Sequence, residues 1–79
     1  MTELDQVGFL TELNIQDIVS YIAEDDNIEY DEAIDRFYRS ETFLKLTDKE
    51  TGLYRESAAY VYELYKAEIA SGNLTQIDD

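Results

Sequence analysis

The chain has 79 residues, of which 44% are hydrophobic, and it contains no cysteine, histidine or proline and carries a formal net charge of −13 at pH 7. These numbers predict one small domain with enough apolar residues for a core, and they exclude disulfides, thiolate sites and histidine ligands or bases. The negative charge argues against direct binding to nucleic acid or to anionic membranes, because both require Lys or Arg to neutralise phosphate.

The first ten residues include acidic side chains and no basic one. Every apolar run in the chain is much shorter than the roughly 20 residues that a helix needs to cross a bilayer. Neither a secretory signal nor a membrane segment is therefore expected. The interpretation is a cytoplasmic protein with one helical domain over 1–79 and frayed ends at 1–8 and 72–79.

Apolar residues recur at helical spacing along most of the chain. The first clear helix is predicted over 15–24, with Asn14 as its N-cap and Asp17 completing a capping box. Phe9 and Leu10 lie off its apolar stripe, which predicts a separate turn or short helix before Asn14. The expected buried stripe of this helix comprises Ile15, Ile18, Val19 and Ile22.

A second helix is predicted from Glu29 to Arg39, where Glu32 with Arg36 and Asp35 with Arg39 form i,i+4 pairs of opposite charge. Its expected buried stripe comprises Tyr30, Ala33, Ile34, Phe37 and Tyr38.

A third, short helix is predicted after Ser40 as cap, with apolar contacts from Phe43, Leu44 and Leu46. Thr47 and Glu50 then suggest a capping box for a further turn or short helix, which Gly52 interrupts. The last helix is predicted from the cap Ser57 to about Ala70, with Gly72 as a left-handed C-cap residue. The predicted fold class is all-α, a compact bundle of four to five short helices.

The last helix has two apolar surfaces when its residues are projected at about 100° intervals. The core-facing stripe comprises Ala58, Val61, Tyr62, Tyr65 and Ile69. A second surface, here named the apolar arc, comprises Tyr60, Leu64 and Ala67, and Glu68 lies between the two. The arc is either covered inside the bundle or exposed to a partner or a second copy, for which tyrosine is a suitable anchor.

The negative charge is concentrated in the first half of the chain, since 1–35 contain eleven Asp or Glu and no Lys or Arg. We expect a solvated acidic surface there, and we name its members the acidic surface: Glu24, Asp25, Asp26, Glu29, Asp31, Glu32 and Asp35. Such a surface either maintains solubility or steers a basic protein partner toward the chain.

Catalytic and metal-binding motifs find little support in the sequence. A calcium loop starting at Asp25 would need glycine at its sixth position and glutamate at its twelfth, where Tyr30 and Arg36 stand instead. The three glycines stand alone, so no phosphate-binding loop is present. We expect no enzyme activity, no cofactor and no metal site.

The order of an early helix, NIEYDEAIDRFYRS, a short connector, LYRES and AYVYELYKAEI resembles small acidic helical proteins of bacterial chromosomes and mobile elements. The motifs that carry the resemblance are Ile28, Glu32 and Ala33, and then Leu53, Tyr54, Ser57 and Tyr60. Some members of that family are encoded beside predicted toxins, so the resemblance implies an antitoxin-like or accessory binding role. It implies no catalytic residue.

The leading hypothesis is a non-enzymatic binding module that neutralises a basic protein partner through the acidic surface. The alternative is a self-associating structural domain that buries the apolar arc in a homodimer.

Overall fold

The structure, a computed structural model, describes residues 3–71, and within that range it is all-α with no strand. Four helices follow one another: α1 (Glu3–Asp26), α2 (Tyr30–Tyr38), α3 (Glu41–Thr47) and α4 (Ala58–Ser71). Two 3-10 turns, Lys49–Thr51 and Leu53–Arg55, connect α3 to α4. The predicted all-α bundle is confirmed. Gly72, the predicted C-cap, and the predicted frayed end at 72–79 lie outside the described residues.

Helix α1 is a single element of 24 residues, about 36 Å long at 1.5 Å per residue. The predicted start after Asn14 is therefore wrong, as is the separate element at Phe9 and Leu10. Residues 1 and 2 of the predicted frayed end at 1–8 lie outside the described residues, and residues 3–8 belong to α1. Nothing in this segment forces a break, since it contains no proline, and its single internal glycine costs a helix only about 1 kcal/mol. The capping pattern at Asn14 therefore does not mark the beginning of a helix.

The side chain of Asn14 has a different role, because it links α1 by hydrogen bonds to the segment 54–56 that precedes α4. Asn14 is 8% exposed, and its Nδ2 donates to the carbonyl oxygens of Tyr54 at 3.2 Å and Glu56 at 3.3 Å. A buried amide is stable only when its polar atoms are paired, and these two carbonyls supply acceptors.

Helix α1 ends in a Schellman motif, a C-terminal cap that was not predicted from the sequence. Asn27 takes a left-handed backbone conformation with φ of 56°, which Asn tolerates better than most residues. The Ile28 N–H then donates to the carbonyl oxygen of Ala23 at 3.1 Å. Ile28 and Ala23 both pack against the core, and apolar residues at these two positions are typical of this motif. The available signal was an Asn followed directly by an apolar residue.

The core forms where α1, α2 and α4 meet, with α3 and the second 3-10 turn closing one side. Its buried members are Ile15, Ile18, Val19, Ile22, Ala33, Phe37, Leu46, Leu53, Ala58, Val61, Tyr62 and Tyr65. The ring of Phe37 is fully buried and makes edge-to-face contacts with Phe43 at 5.6 Å and Tyr65 at 5.8 Å between centroids. Burying one such large side chain contributes about 1.5–3 kcal/mol. The predicted stripe of α1 is confirmed in full.

Several apolar residues that were assigned to the core are exposed instead. In α2, Tyr30 is 46% exposed and Tyr38 is 48% exposed, while Ala33 and Phe37 are buried as predicted. Leu44 of α3 is 60% exposed. These residues lie at the ends of α2 or on the outer side of α3, where short helices leave neighbouring positions uncovered.

The short connections are held by side-chain caps. Ser40 Oγ accepts from the Phe43 N–H at 3.0 Å, which confirms the predicted cap of α3. Asp48, rather than Thr47, caps the first 3-10 turn by accepting from the Glu50 N–H at 3.0 Å. Thr47 instead donates its hydroxyl to the Phe43 carbonyl at 3.0 Å, so the predicted Thr47–Glu50 box is wrong.

Candidate functional site

The acidic surface lies at the end of α1, in the turn that follows and on the outer side of α2. All seven carboxylate residues of the surface are exposed. Residues 24–39 contain these seven carboxylates and two arginines, which leaves a net charge of −5. A negative potential of this density attracts cationic groups from solution, and salt screens it.

Arginines 36 and 39 neutralise part of the acidic surface. Arg36 bridges two helices, since its Nη1 lies 3.1 Å from an oxygen of Asp26 and its Nη2 lies 3.1 Å from an oxygen of Glu32. Arg39 lies 3.1 Å from Asp35. Both predicted i,i+4 pairs are confirmed, whereas the link from Arg36 back to Asp26 was not foreseen. These pairs are exposed to solvent, so each contributes at most about 1 kcal/mol to stability.

Asp25 accepts a hydrogen bond from the hydroxyl of Tyr62, which joins the acidic surface to α4. Burial raises the pKa of the Tyr62 hydroxyl, and the hydrogen bond and negative charge of Asp25 raise it further. Burial likewise raises the pKa of the Tyr65 hydroxyl, with repulsion from Asp26 adding to it. Both phenols therefore remain protonated at neutral pH, and Tyr62 acts as a hydrogen-bond donor.

A groove of about 490 Å³ runs between the end of α1, α2 and the second half of α4. It is lined by Asp25, Asp26, Arg36, Arg39, Tyr62, Tyr65, Lys66, Ile69 and Ala70. The groove contains three of the six basic residues of the chain, but each of the three is in an ion pair, Lys66 with Glu63 at 3.1 Å. The groove consequently offers little uncompensated positive charge to an anionic ligand.

The apolar arc of α4 is partly open. Tyr60 is 50% exposed and Ala67 is exposed, while Leu64 is half-buried and packs against the core. Leu64 and Ala67 line a shallow depression between α3 and α4. The short helices therefore cover the arc only at Leu64. The core-facing stripe is buried as predicted except at Ile69, which is 48% exposed.

Glu68 is a structural residue that sequence reasoning did not identify. Its side chain is 9% exposed and accepts three hydrogen bonds at the start of α3. Oε2 accepts from the Glu41 N–H at 2.9 Å, and Oε1 accepts from the Thr42 N–H at 3.0 Å and from its hydroxyl at 2.8 Å. The carboxylate thus pairs the N–H groups that a helix start leaves without partners. Its position between two apolar surfaces of α4 was the available signal.

The described part of the chain shows no arrangement typical of metal binding or of membrane insertion. Among residues 3–71, no group of three or more carboxylates is placed to hold a metal ion. No helix in that range is long and apolar enough to cross a membrane.

Comparison of the chain with protein-family models, with curated proteins and with solved structures finds no match. The arguments for a function therefore rest on the arrangement of charge and apolar surface within this chain.

Proposed function

We propose that this chain is a non-enzymatic binding protein that captures a basic protein partner in the cytoplasm, in the manner of an antitoxin or an accessory neutraliser. The acidic surface supplies the long-range attraction, and exposed tyrosines and apolar residues supply the close contact. The antitoxin-like form of this role is what the resemblance stated from the sequence implies.

The observation that carries the proposal is the exposure of all seven carboxylates of the acidic surface in a half of the chain that has no base before Arg36. Four of them form no ion pair with any residue in 3–71: Glu24, Glu29, Asp31 and Asp25, of which Asp25 accepts the hydrogen bond from Tyr62. A cationic partner can therefore bind the first three of these without displacing an internal arginine.

A capture experiment with two matched charge variants tests the proposal. The first variant, Glu24→Gln with Glu29→Gln and Asp31→Asn, removes three charges from the acidic surface. The control variant, Glu41→Gln with Glu50→Gln and Glu56→Gln, removes three exposed charges from the second half of the chain. Proteins captured from the source cell by each immobilised variant are quantified by mass spectrometry.

The proposal expects a basic protein that the wild type and the control variant retain equally and the first variant retains several-fold less. An equal loss of retention with both variants would show that binding depends on the net charge of the chain and not on the acidic surface. Equal retention by all three would remove the acidic surface from the mechanism.

The exposure of Tyr60 and Ala67 favours a second candidate function, a homodimer formed through the apolar arc. Equilibrium sedimentation of the wild type and of Tyr60→Ala separates the two proposals. A dimer at tens of micromolar that the substitution dissociates supports self-association. A wild-type chain that is monomeric at tens of micromolar would contradict self-association.

A further inference from the structure

Residues 7–13 of α1, here named the arm, contribute no fully buried side chain to the bundle, and only Val7 and Thr11 are half-buried, beside residues 47–49. Between Val7 and Leu13, every side chain is exposed or half-buried, and burial starts at Asn14. Phe9 is 63% exposed and Leu10 is 40% exposed, and Leu13 at the end of the arm is 42% exposed. Three large apolar side chains within five residues therefore face solvent in a chain whose net charge is −13.

These three side chains share one face of α1, on the side away from the core. Successive residues of a helix are rotated by about 100°, so Leu13 lies about 40° and Leu10 about 100° from Phe9 around the axis. Ile18, which is fully buried, lies about 180° from Phe9 by the same rotation. The apolar face of the arm is therefore not an uncovered continuation of the core-facing stripe of α1. It is a separate surface.

The charge around the arm restricts what can cover that surface. Glu12 and Asp17 are exposed and flank it, and residues 1–35 carry eleven acids and no base. A second copy of the chain that docked at this surface would bring like negative charges together, and an anionic lipid surface would meet them as well. A cationic surface that also presents apolar side chains is complementary in both respects.

We infer that the arm is a docking surface for a basic amphipathic helix of a partner protein. Phe9, Leu10 and Leu13 would pack against the apolar side of that helix, and its Lys and Arg residues would lie beside Glu12 and Asp17. Helices recognise one another in this way through apolar anchors spaced one turn apart. The inference rests on the proposed function and deepens it by naming the apolar anchor and the kind of element that the partner contributes.

A defined peptide tests the inference without knowledge of the natural partner. The probe is a fluorescent peptide of about 18 residues, made of Leu and Lys in an amphipathic helical pattern. A scrambled peptide of the same composition has the same charge and no apolar face. Anisotropy titrations at roughly physiological salt compare the wild-type chain with Phe9→Gln/Leu13→Gln and with Leu44→Gln. The control replaces an exposed leucine of α3, and glutamine is compatible with a helix at all three positions.

The inference predicts that Phe9→Gln/Leu13→Gln lowers the affinity for the amphipathic peptide about tenfold or more, while Leu44→Gln changes it less than about twofold. The scrambled peptide should bind the wild type about as weakly as it binds the arm variant. Equal affinity of the wild type and the arm variant, or no binding of the amphipathic peptide to the wild type, would overturn the inference. A wild-type dimer that the arm substitutions dissociate would assign the surface to a second copy and overturn it too.

The charge variant Glu24→Gln/Glu29→Gln/Asp31→Asn distinguishes failure of the arm from failure of the proposed function. If this variant binds the peptide weakly and the arm variant binds it normally, the role of the acidic surface is supported and docking at the arm is rejected. If the arm variant alone loses affinity, docking at the arm is supported and steering by the acidic surface is rejected.

Discussion

Glu68 of α4 holds Thr42 of α3 through two hydrogen bonds to one carboxylate oxygen, at 3.0 Å from the backbone N–H and 2.8 Å from the hydroxyl. The two residues are 26 positions apart, and both are buried. A helix of seven residues has little stability of its own, so this contact fixes where α3 begins and how it lies on α4.

Replacing this carboxylate should destabilise the fold. In Glu68→Gln the amide oxygen can still accept from Thr42, but the amide nitrogen faces the Glu41 N–H, and two donors then meet. We expect a loss of about 1–3 kcal/mol in the free energy of unfolding, measured by urea denaturation. The matched control Glu63→Gln, on the exposed side of the same helix, should change stability by less than about 1 kcal/mol. Equal effects would contradict the capping role of Glu68.

Asn14 gives a test that separates its structural role from the N-cap role that the sequence suggested. At an N-cap, Asp is as good as Asn, so Asn14→Asp would be neutral. In the structure, Asp would place a carboxylate against the carbonyl oxygens of Tyr54 and Glu56, with no donor between them. We expect a loss of about 2–3 kcal/mol by urea denaturation. The control Gln16→Glu makes the same chemical change at an exposed position of α1 and should cost less than about 0.5 kcal/mol.

The hydrogen bond from Tyr62 to Asp25 predicts a loss of stability at alkaline pH. The pKa of Tyr62 is raised in the folded chain from its ordinary value of 10.0, so the folded state retains this proton at pH values where the unfolded chain releases it. Its contribution is therefore complete below about pH 10 and declines as the pH rises above that value. Urea midpoints at pH 7 to 11 should fall more steeply for the wild type than for Tyr62→Phe. Tyr65 also has a raised pKa, so the variant should retain part of the decline.

Two glycines should respond to alanine in opposite directions. Gly8 lies within α1, and a Cβ there meets no atom within 4 Å, so Gly8→Ala should stabilise the chain by about 0.5–1 kcal/mol. Gly52 has a φ of 72° between the two 3-10 turns, where an L side chain is strained, so Gly52→Ala should destabilise it by about 1–2 kcal/mol. Helicity by circular dichroism and urea midpoints check both signs. A loss of stability in Gly8→Ala would contradict a continuous α1.

The sequence predicted those features that depend on neighbouring residues. Ser57 caps α4 by accepting from the Tyr60 N–H at 3.1 Å, as its position before an apolar helix indicated. The arginine pairs of α2 are four residues apart and could be predicted for the same reason. Of the candidate site, the exposure of the acidic residues followed from their charge and density.

The features that the sequence did not predict depend on residues far apart in the chain. The acceptors of Asn14 lie 40 and 42 positions away, and the donors to Glu68 lie 26 and 27 positions away. The local pattern places Glu68 between two apolar surfaces of α4, but it does not identify the distant partners of Glu68 or of Asn14. The length of α1 is hard to predict because Asn14 and Asp17 match a capping box and Gly8 precedes them, although no proline interrupts the segment.

The most direct test of the proposed function is the salt dependence of binding to the basic protein that the capture experiment is expected to recover. The logarithm of the dissociation constant, measured between roughly 50 and 500 mM salt, should rise steeply with the logarithm of salt concentration for the wild type. The slope should be smaller for Glu24→Gln/Glu29→Gln/Asp31→Asn and unchanged for the control variant of Glu41, Glu50 and Glu56. Binding that does not weaken with salt, or an unchanged slope in the first variant, would contradict recognition through the acidic surface.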